Sequence, residues 1–174
     1  MKRIISIIAV STLGASLSAC GSSPDSPSSS APPPVKFTAA LSPANEVPPV
    51  TNGDAGASGT ATITFNLTRD ANGAIVSGTV DFNVSLSGFP AGSALTAAHI
   101  HPGAAGTNGS VFISTTIASG EVTFPAGSGT LNKTGIAITA DQANAIIANP
   151  AGYYFNAHTA ANPGGAVRGQ LVRQ

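Results

Sequence analysis

Three histidines set the chemistry open to this chain. They are its only His in 174 residues, and they fall in two short segments, Ala98-His99-Ile100-His101-Pro102-Gly103 and Phe155-Asn156-Ala157-His158-Thr159. In an extended strand side chains alternate between faces, so His99 and His101 point one way and Ala98 and Ile100 the other. His158 obeys the same rule in its own segment, where it shares a face with Tyr154 and Asn156. If those two strands lie side by side, three imidazoles converge, which is enough nitrogen for one transition-metal ion. Neutral imidazole suits copper, zinc, nickel and iron, and Cu(I) accepts three nitrogens. An open position on such an ion could polarise a ligand or activate water. The alternative is structural: each ring hydrogen-bonds backbone or Asn and Thr side chains at a crowded strand end.

Two charged residues belong to the same question. Arg168 lies near the His158 segment and could attract an anion, hold the Glu46 carboxylate, or pin a loop. Glu46 sits in a Pro-bounded turn, where it could support a metal ligand, act as one, or fix the turn. Tyr153, Tyr154 and Phe155 read as core and rim packing. Other chemistries find no footing. The chain has no Gly-x-Ser-x-Gly, P-loop or dinucleotide fingerprint. It also lacks the closely spaced carboxylate pair of a glycosidase. There is no basic stripe interleaved with aromatics, which argues against nucleic acid as a partner.

The elements that must position these residues read as strands. Thr60 to Thr68 alternates, with Ala61, Ile63, Phe65 and Leu67 on one face and Thr60, Thr62, Thr64, Asn66 and Thr68 on the other. Val80 to Leu86 repeats the pattern, placing Val80, Phe82, Val84 and Leu86 inward. Asn72-Gly73 between them is a strong hairpin signal. One-sided polarity of this kind marks antiparallel sheets with a solvated face. Further strands are expected at 35–41, 95–101, 111–117, 120–124, 152–158 and 166–172, punctuated by Gly-, Pro- and Asn-rich turns. Short strands at this spacing predict an all-β sandwich or Greek-key barrel. One helix is expected after Thr139-Ala140-Asp141-Gln142, which has capping-box spacing, with Asn149-Pro150 ending it. Its expected role is to plug one end of the sandwich.

The ends of the chain speak to its address. Lys2 and Arg3 precede a short apolar run, Ile4 to Leu13, and then Leu17-Ser18-Ala19-Cys20. This is the pattern of a secretory signal, with an apolar run shorter than the roughly 20 residues of a membrane span. Leu-Ser-Ala-Cys resembles the bacterial lipobox, which implies lipidation of Cys20, the chain's single Cys, as the first mature residue. The expected location is therefore extracytoplasmic, lipid-anchored at a bacterial cell envelope. Residues 21–35 are Ser- and Pro-rich with little apolar mass and read as a tether. Residues 36–174 are one domain's length. Without the signal the charge balance is slightly acidic.

Three blocks resemble a known family in the expected order. Leu41-Ser42-Pro43-Ala44-Asn45-Glu46-Val47-Pro48-Pro49-Val50 resembles the opening motif of the CHRD domain, named after chordin. His99-Ile100-His101-Pro102-Gly103 through Asn108-Gly109 resembles its central motif, and Tyr154 through Leu171 its closing one. The resemblance implies an all-β extracytoplasmic module and carries no settled activity. A second, weaker resemblance is to copper/zinc superoxide dismutases, which carry a His-x-His pair on one strand and a later His followed by a Gly-rich stretch and an Arg. It implies copper, with zinc as the alternative, at His99, His101 and His158. It also implies an anion-guiding role for Arg168 and a Greek-key sandwich, superoxide-dismutase-like or immunoglobulin-like. The zinc-ligand cluster and bridging His of those enzymes have no counterpart here. The resulting expectation is a metal-handling domain, non-enzymatic or at most a copper-dependent oxidoreductase. The alternative is a protein or matrix interaction module with structural His residues.

Overall fold

A computed structural model describes residues 32–174. The expected signal, the expected lipidation at Cys20 and residues 21–31 of the tether expected at 21–35 lie outside the described residues, and Val35, the last residue of that expected tether, already belongs to the first strand. Two antiparallel sheets face each other. The first has the order β10-β1-β2-β3-β7, from β1 (Val35–Leu41), β2 (Ser58–Arg69), β3 (Ile75–Ser87), β7 (Gly129–Thr139) and β10 (Val172–Arg173). The second runs β5-β4-β8-β9, from β4 (Ser93–Pro102), β5 (Ile113–Ser114), β8 (Tyr153–Thr159) and β9 (Val167–Gln170), with β6 (Thr123–Phe124) also on β4. Strands β1 to β3 form a meander, and β10 returns from the chain's far end to lie beside β1. That is the Greek-key order.

The inward faces are the apolar halves of the alternating strands. Ala61, Ile63 and Phe65 of β2 and Val80, Phe82, Val84 and Leu86 of β3 are buried, as their spacing demands. They meet Leu95, Ala98, Ile100, Phe155 and Ala157 of the second sheet, with the Phe82 and Phe155 rings 5.9 Å apart across the core. At the β2–β3 hairpin Asp70 accepts from the backbone of Asn72 and Ala74, and Gly73 takes a positive φ of 84° that its missing Cβ permits.

The helix α1 (Ala140–Ala148) opens on a complete capping box. Thr139 Oγ1 accepts from the Gln142 amide at 3.1 Å, and Gln142 Oε1 accepts from the Thr139 amide at 2.9 Å. Its buried residues Ala143 and Ile146 pack toward β3 and β7. No helix among the described residues is long and apolar enough to cross a membrane.

Three expectations need correction. Residues 111–117 and 120–124 yield only two-residue strands, β5 and β6, since much of their hydrogen bonding goes singly to β4: Phe112 to Ile100, Thr115 to Ala98, and Leu95 to Val122. Residues 166–172 split at Leu171, whose amide donates to Tyr153 while its side chain enters the core. β7 has no counterpart in the sequence reading, because its alternation is broken. Leu131 and Ile138 are both buried although seven residues apart, and the register slips opposite Val80–Phe82. Gly135, at φ 70°, lies within that slip.

Candidate metal centre

The site grows on the outer face of the second sheet. Register puts His99 opposite Asn156, and Asn156 opposite Arg168 on β9. One row along, His101 faces Tyr154 and Tyr154 faces Gln170; in the other direction Ala97 faces His158. A bulge between Leu95 and Ala97 resets the alternation of β4, so Leu95 and Ala98 both enter the core while His99 and His101 face out. The sequence reading of a shared histidine face therefore holds, and the two His segments are neighbouring strands.

This face is polar yet buried, because three connections cover it. Arg168 spans them at 1% exposure. Its guanidinium donates to the carbonyls of Ala104 (2.9 Å) and Thr107 (2.8 Å), to Asn108 Oδ1 and to Gln170 Oε1, and it lies 3.4 Å above the Tyr154 ring. Its backbone bridges Ser42, and its carbonyl accepts from Asn45. Asn108 in turn donates to the Val47 carbonyl. The loop over residues 160–165 is tied down by buried Asp54, which accepts from Thr159 Oγ1 and Asn162 Nδ2, each at 2.6 Å. Arg168 thus works as a loop pin. It makes no ion pair with Glu46, and both of its Nη nitrogens are committed to the covering loop, with Nη2 also reaching Gln170.

The three imidazoles converge. One potential donor atom from each lies within 4.8 Å of the other two. His99 Nδ1 is 3.2 Å from His158 Nε2. Hydrogen bonds set the tautomers, since a carbonyl only accepts. His101 Nδ1 donates to Gly109 O at 3.0 Å, and His158 Nδ1 donates to Pro163 O at 2.9 Å. Both rings therefore turn an unprotonated Nε2 inward. In the metal-free state His99 Nδ1–H donates to His158 Nε2; an ion there would move that proton to the outer nitrogen of the half-buried His99 ring. Two nitrogens bound to one ion at about 2.0–2.1 Å lie at most about 4.2 Å apart. In a tetrahedral site the same bond lengths put two nitrogens about 3.4 Å apart. The His99–His158 pair at 3.2 Å is already near that spacing. A separation as wide as the trio's 4.8 Å must close by roughly 1 Å on binding.

Burial keeps these rings neutral. His99 is pushed down to about 4, chiefly by desolvation and then by the neighbouring His158 and His101. His101 and His158 are lowered for the same leading reason, against the hydrogen bonds that their Nδ1 atoms give to backbone carbonyls. Lone pairs are thus available for a metal at neutral pH.

The sequence reading missed several supports: Asn156, Tyr154 as a stacking plate, and the Gly109 and Pro163 carbonyls. The His101 ring stacks on Tyr154 with centroids 5.0 Å apart and planes 10° apart. The Tyr154 hydroxyl accepts from the Gly109 amide, so Tyr154 belongs to the site rather than to the core. A Cβ at Gly109 would collide with the Pro102 carbonyl, so only Gly brings this carbonyl up to His101. Alternation does place Asn156 on the His158 face, but assigns it no role. Glu46 is 5% exposed, and burial raises its carboxyl to about 7 against the Arg168 charge and the Asn156 amide.

Fold and site together define an all-β Greek-key sandwich with a three-histidine cluster beneath its connections, His101 and His158 buried and His99 half-buried. The CHRD domain model matches residues 37–171, which include every residue of the cluster and its cover. The chain belongs to the CHRD family. Among curated proteins none matches it.

Proposed function

We propose that this protein binds one transition-metal ion, copper in the first place, through His99 Nδ1, His101 Nε2 and His158 Nε2. We further propose that it does so at a bacterial cell envelope, tethered by lipid on Cys20. The observation that carries the reading is the set of tautomers: two backbone carbonyls hold the outer nitrogens of His101 and His158, leaving the His158 Nε2 lone pair to face His99 Nδ1 and the buried His101 Nε2 without a partner. A structural role for the rings would need no such convergence. Three imidazoles suit Cu(I), and zinc is the alternative for the same donor set. Metal buffering or relay fits the site better than dismutase turnover, since Arg168 is occupied in holding a loop.

The test is metal stoichiometry on the purified, tag-free protein. About one Cu(I) or Cu(II) per chain is expected, and His99→Ala, His101→Ala and His158→Ala should each reduce affinity at least tenfold. Undiminished binding in all three variants refutes the ligand set. Anchoring is a separate question: Cys20→Ala should release the protein from the membrane fraction without changing its metal content.

A further inference from the structure

Three buried side-chain polar atoms lack hydrogen-bond partners among the described residues: His101 Nε2, Asn156 Oδ1 and Glu46 Oε1. All belong to one chain of neighbours, for the Asn156 amide acts on both Glu46 and His101. Each residue is more than nine-tenths buried. Buried polar groups are otherwise almost always paired, so three orphans in one place call for a missing occupant. A metal ion satisfies His101 Nε2 and leaves the other two. With the Glu46 carboxyl ionised, those are both oxygen acceptors in this orientation, and one partner with two O–H bonds would satisfy both.

We propose that Glu46 and Asn156 seat a fourth, non-protein ligand of the metal ion: a water molecule that donates one hydrogen to Glu46 Oε1 and the other to Asn156 Oδ1. The inference rests on the metal reading above and adds to it the group that completes the coordination. Metal and water together satisfy all three orphans. A cleft of about 260 Å³, lined by Glu46, Asn162, Pro163 and Gly165, reaches the Glu46 side chain and the loop whose carbonyl holds His158, while Glu46 Oε1 itself is buried behind it. At Gly165 a Cβ would overlap the Glu46 carboxyl, so the absence of a side chain there makes the room. Two bare acceptors disfavour a bound anion, so the seat selects water over negatively charged competitors.

The experiment titrates azide into the Cu(II)-bound protein and follows the azide-to-copper charge-transfer band. Glu46→Gln removes one acceptor and its charge at nearly constant shape. The variant should keep one copper per chain and bind azide about tenfold more tightly, the equivalent of one charge-assisted hydrogen bond lost from the competing water. Superimposable azide curves with copper still bound overturn the seat alone. A wild-type protein that takes up no metal sinks this inference and the metal reading together. Should the variant fail to fold, a crystal structure of the zinc-bound wild type decides. Water on the ion within hydrogen-bond distance of Glu46 Oε1 and Asn156 Oδ1 supports the seat. An Asn156 turned over, with its NH2 on His101 Nε2, overturns it.

Discussion

The two outer faces of the sandwich are both polar, and they meet opposite fates. On the first sheet Thr60, Asn66, Thr68, Asn83 and Ser85 are exposed, and their few side-chain hydrogen bonds, such as Asn66 to Asp81 at 2.9 Å, compete with water. On the second sheet β8 is buried on both sides, from Tyr154 to Thr159. The outer half of its alternation is Tyr154, Asn156 and His158. A polar face open to solvent places no demand on geometry, because water satisfies whatever the protein does not. Under a protein lid each polar atom must find a protein partner or leave a cost of about 1–3 kcal/mol. Most of the second face meets that demand through Arg168, Asn108, Asp54 and Asn162. The three atoms that do not meet it are one imidazole nitrogen, His101 Nε2, and the oxygens Asn156 Oδ1 and Glu46 Oε1, all at the proposed metal site.

The contrast should be largest in stability. Arg168→Ala strips the covering loop of its donors and leaves buried carbonyls unpaired, with an expected loss of about 3–5 kcal/mol in urea unfolding. A loss below about 1 kcal/mol would mean the cover holds without its pin.

Metal should separate the faces next. At free metal near 100 times the dissociation constant the folded state gains about 2.7 kcal/mol. Thermal unfolding should show that gain in the wild type and in Asn83→Ala, and no more than about 1.4 kcal/mol of it in His158→Ala, whose affinity is at least tenfold lower. An undiminished gain in His158→Ala would place the ion elsewhere.

A smaller effect concerns pH in the metal-free protein, where two opposing slopes overlap. His99 has its folded pKa lowered from 6.5 to about 4. Between those values the unfolded chain binds more protons, so this contribution to stability is complete above 6.5 and is lost as pH falls toward 4. Glu46 is raised from 4.5 to about 7, so its contribution is present at low pH and is lost as pH rises through that window. The two partly cancel between pH 4.5 and 6.5. Glu46→Gln removes the second slope, and Tm should then climb more steeply with pH than in the wild type. Parallel Tm profiles would show that the carboxyl titrates as an exposed one does.

The smallest effects belong to the open face. Thr62→Ala and Asn83→Ala should each change stability by no more than about 0.5 kcal/mol. Larger losses would mean that this sheet, too, is covered in solution.

How much of this could be read in advance varies from one element to the next. β2 and β3 were legible because an uninterrupted period of two, bounded by Asn-Gly, has no other good solution. The α1 cap was legible because Thr139 and Gln142 satisfy each other locally. β7 was hidden by its own slip at Lys133–Gly135, and 111–124 was overread because hydrogen bonds to β4 replace a ladder there. In the site, the histidines were visible by type and spacing. Arg168 left several readings open, since its role depends on carbonyls about sixty residues away, at Ala104 and Thr107.

Residue order by itself determined which side chains share a face, because alternation is a property of the extended backbone and needs no partner strand. It therefore settled the inward core of β2 and β3 and the common side of His99 and His101. Only the tertiary structure decided that β4 and β8 are neighbours, that loops bury their polar face, and which ring nitrogens remain free. Those outcomes depend on long-range register and on backbone carbonyls, Gly109 and Pro163 among them, which every residue carries and which no sequence pattern distinguishes.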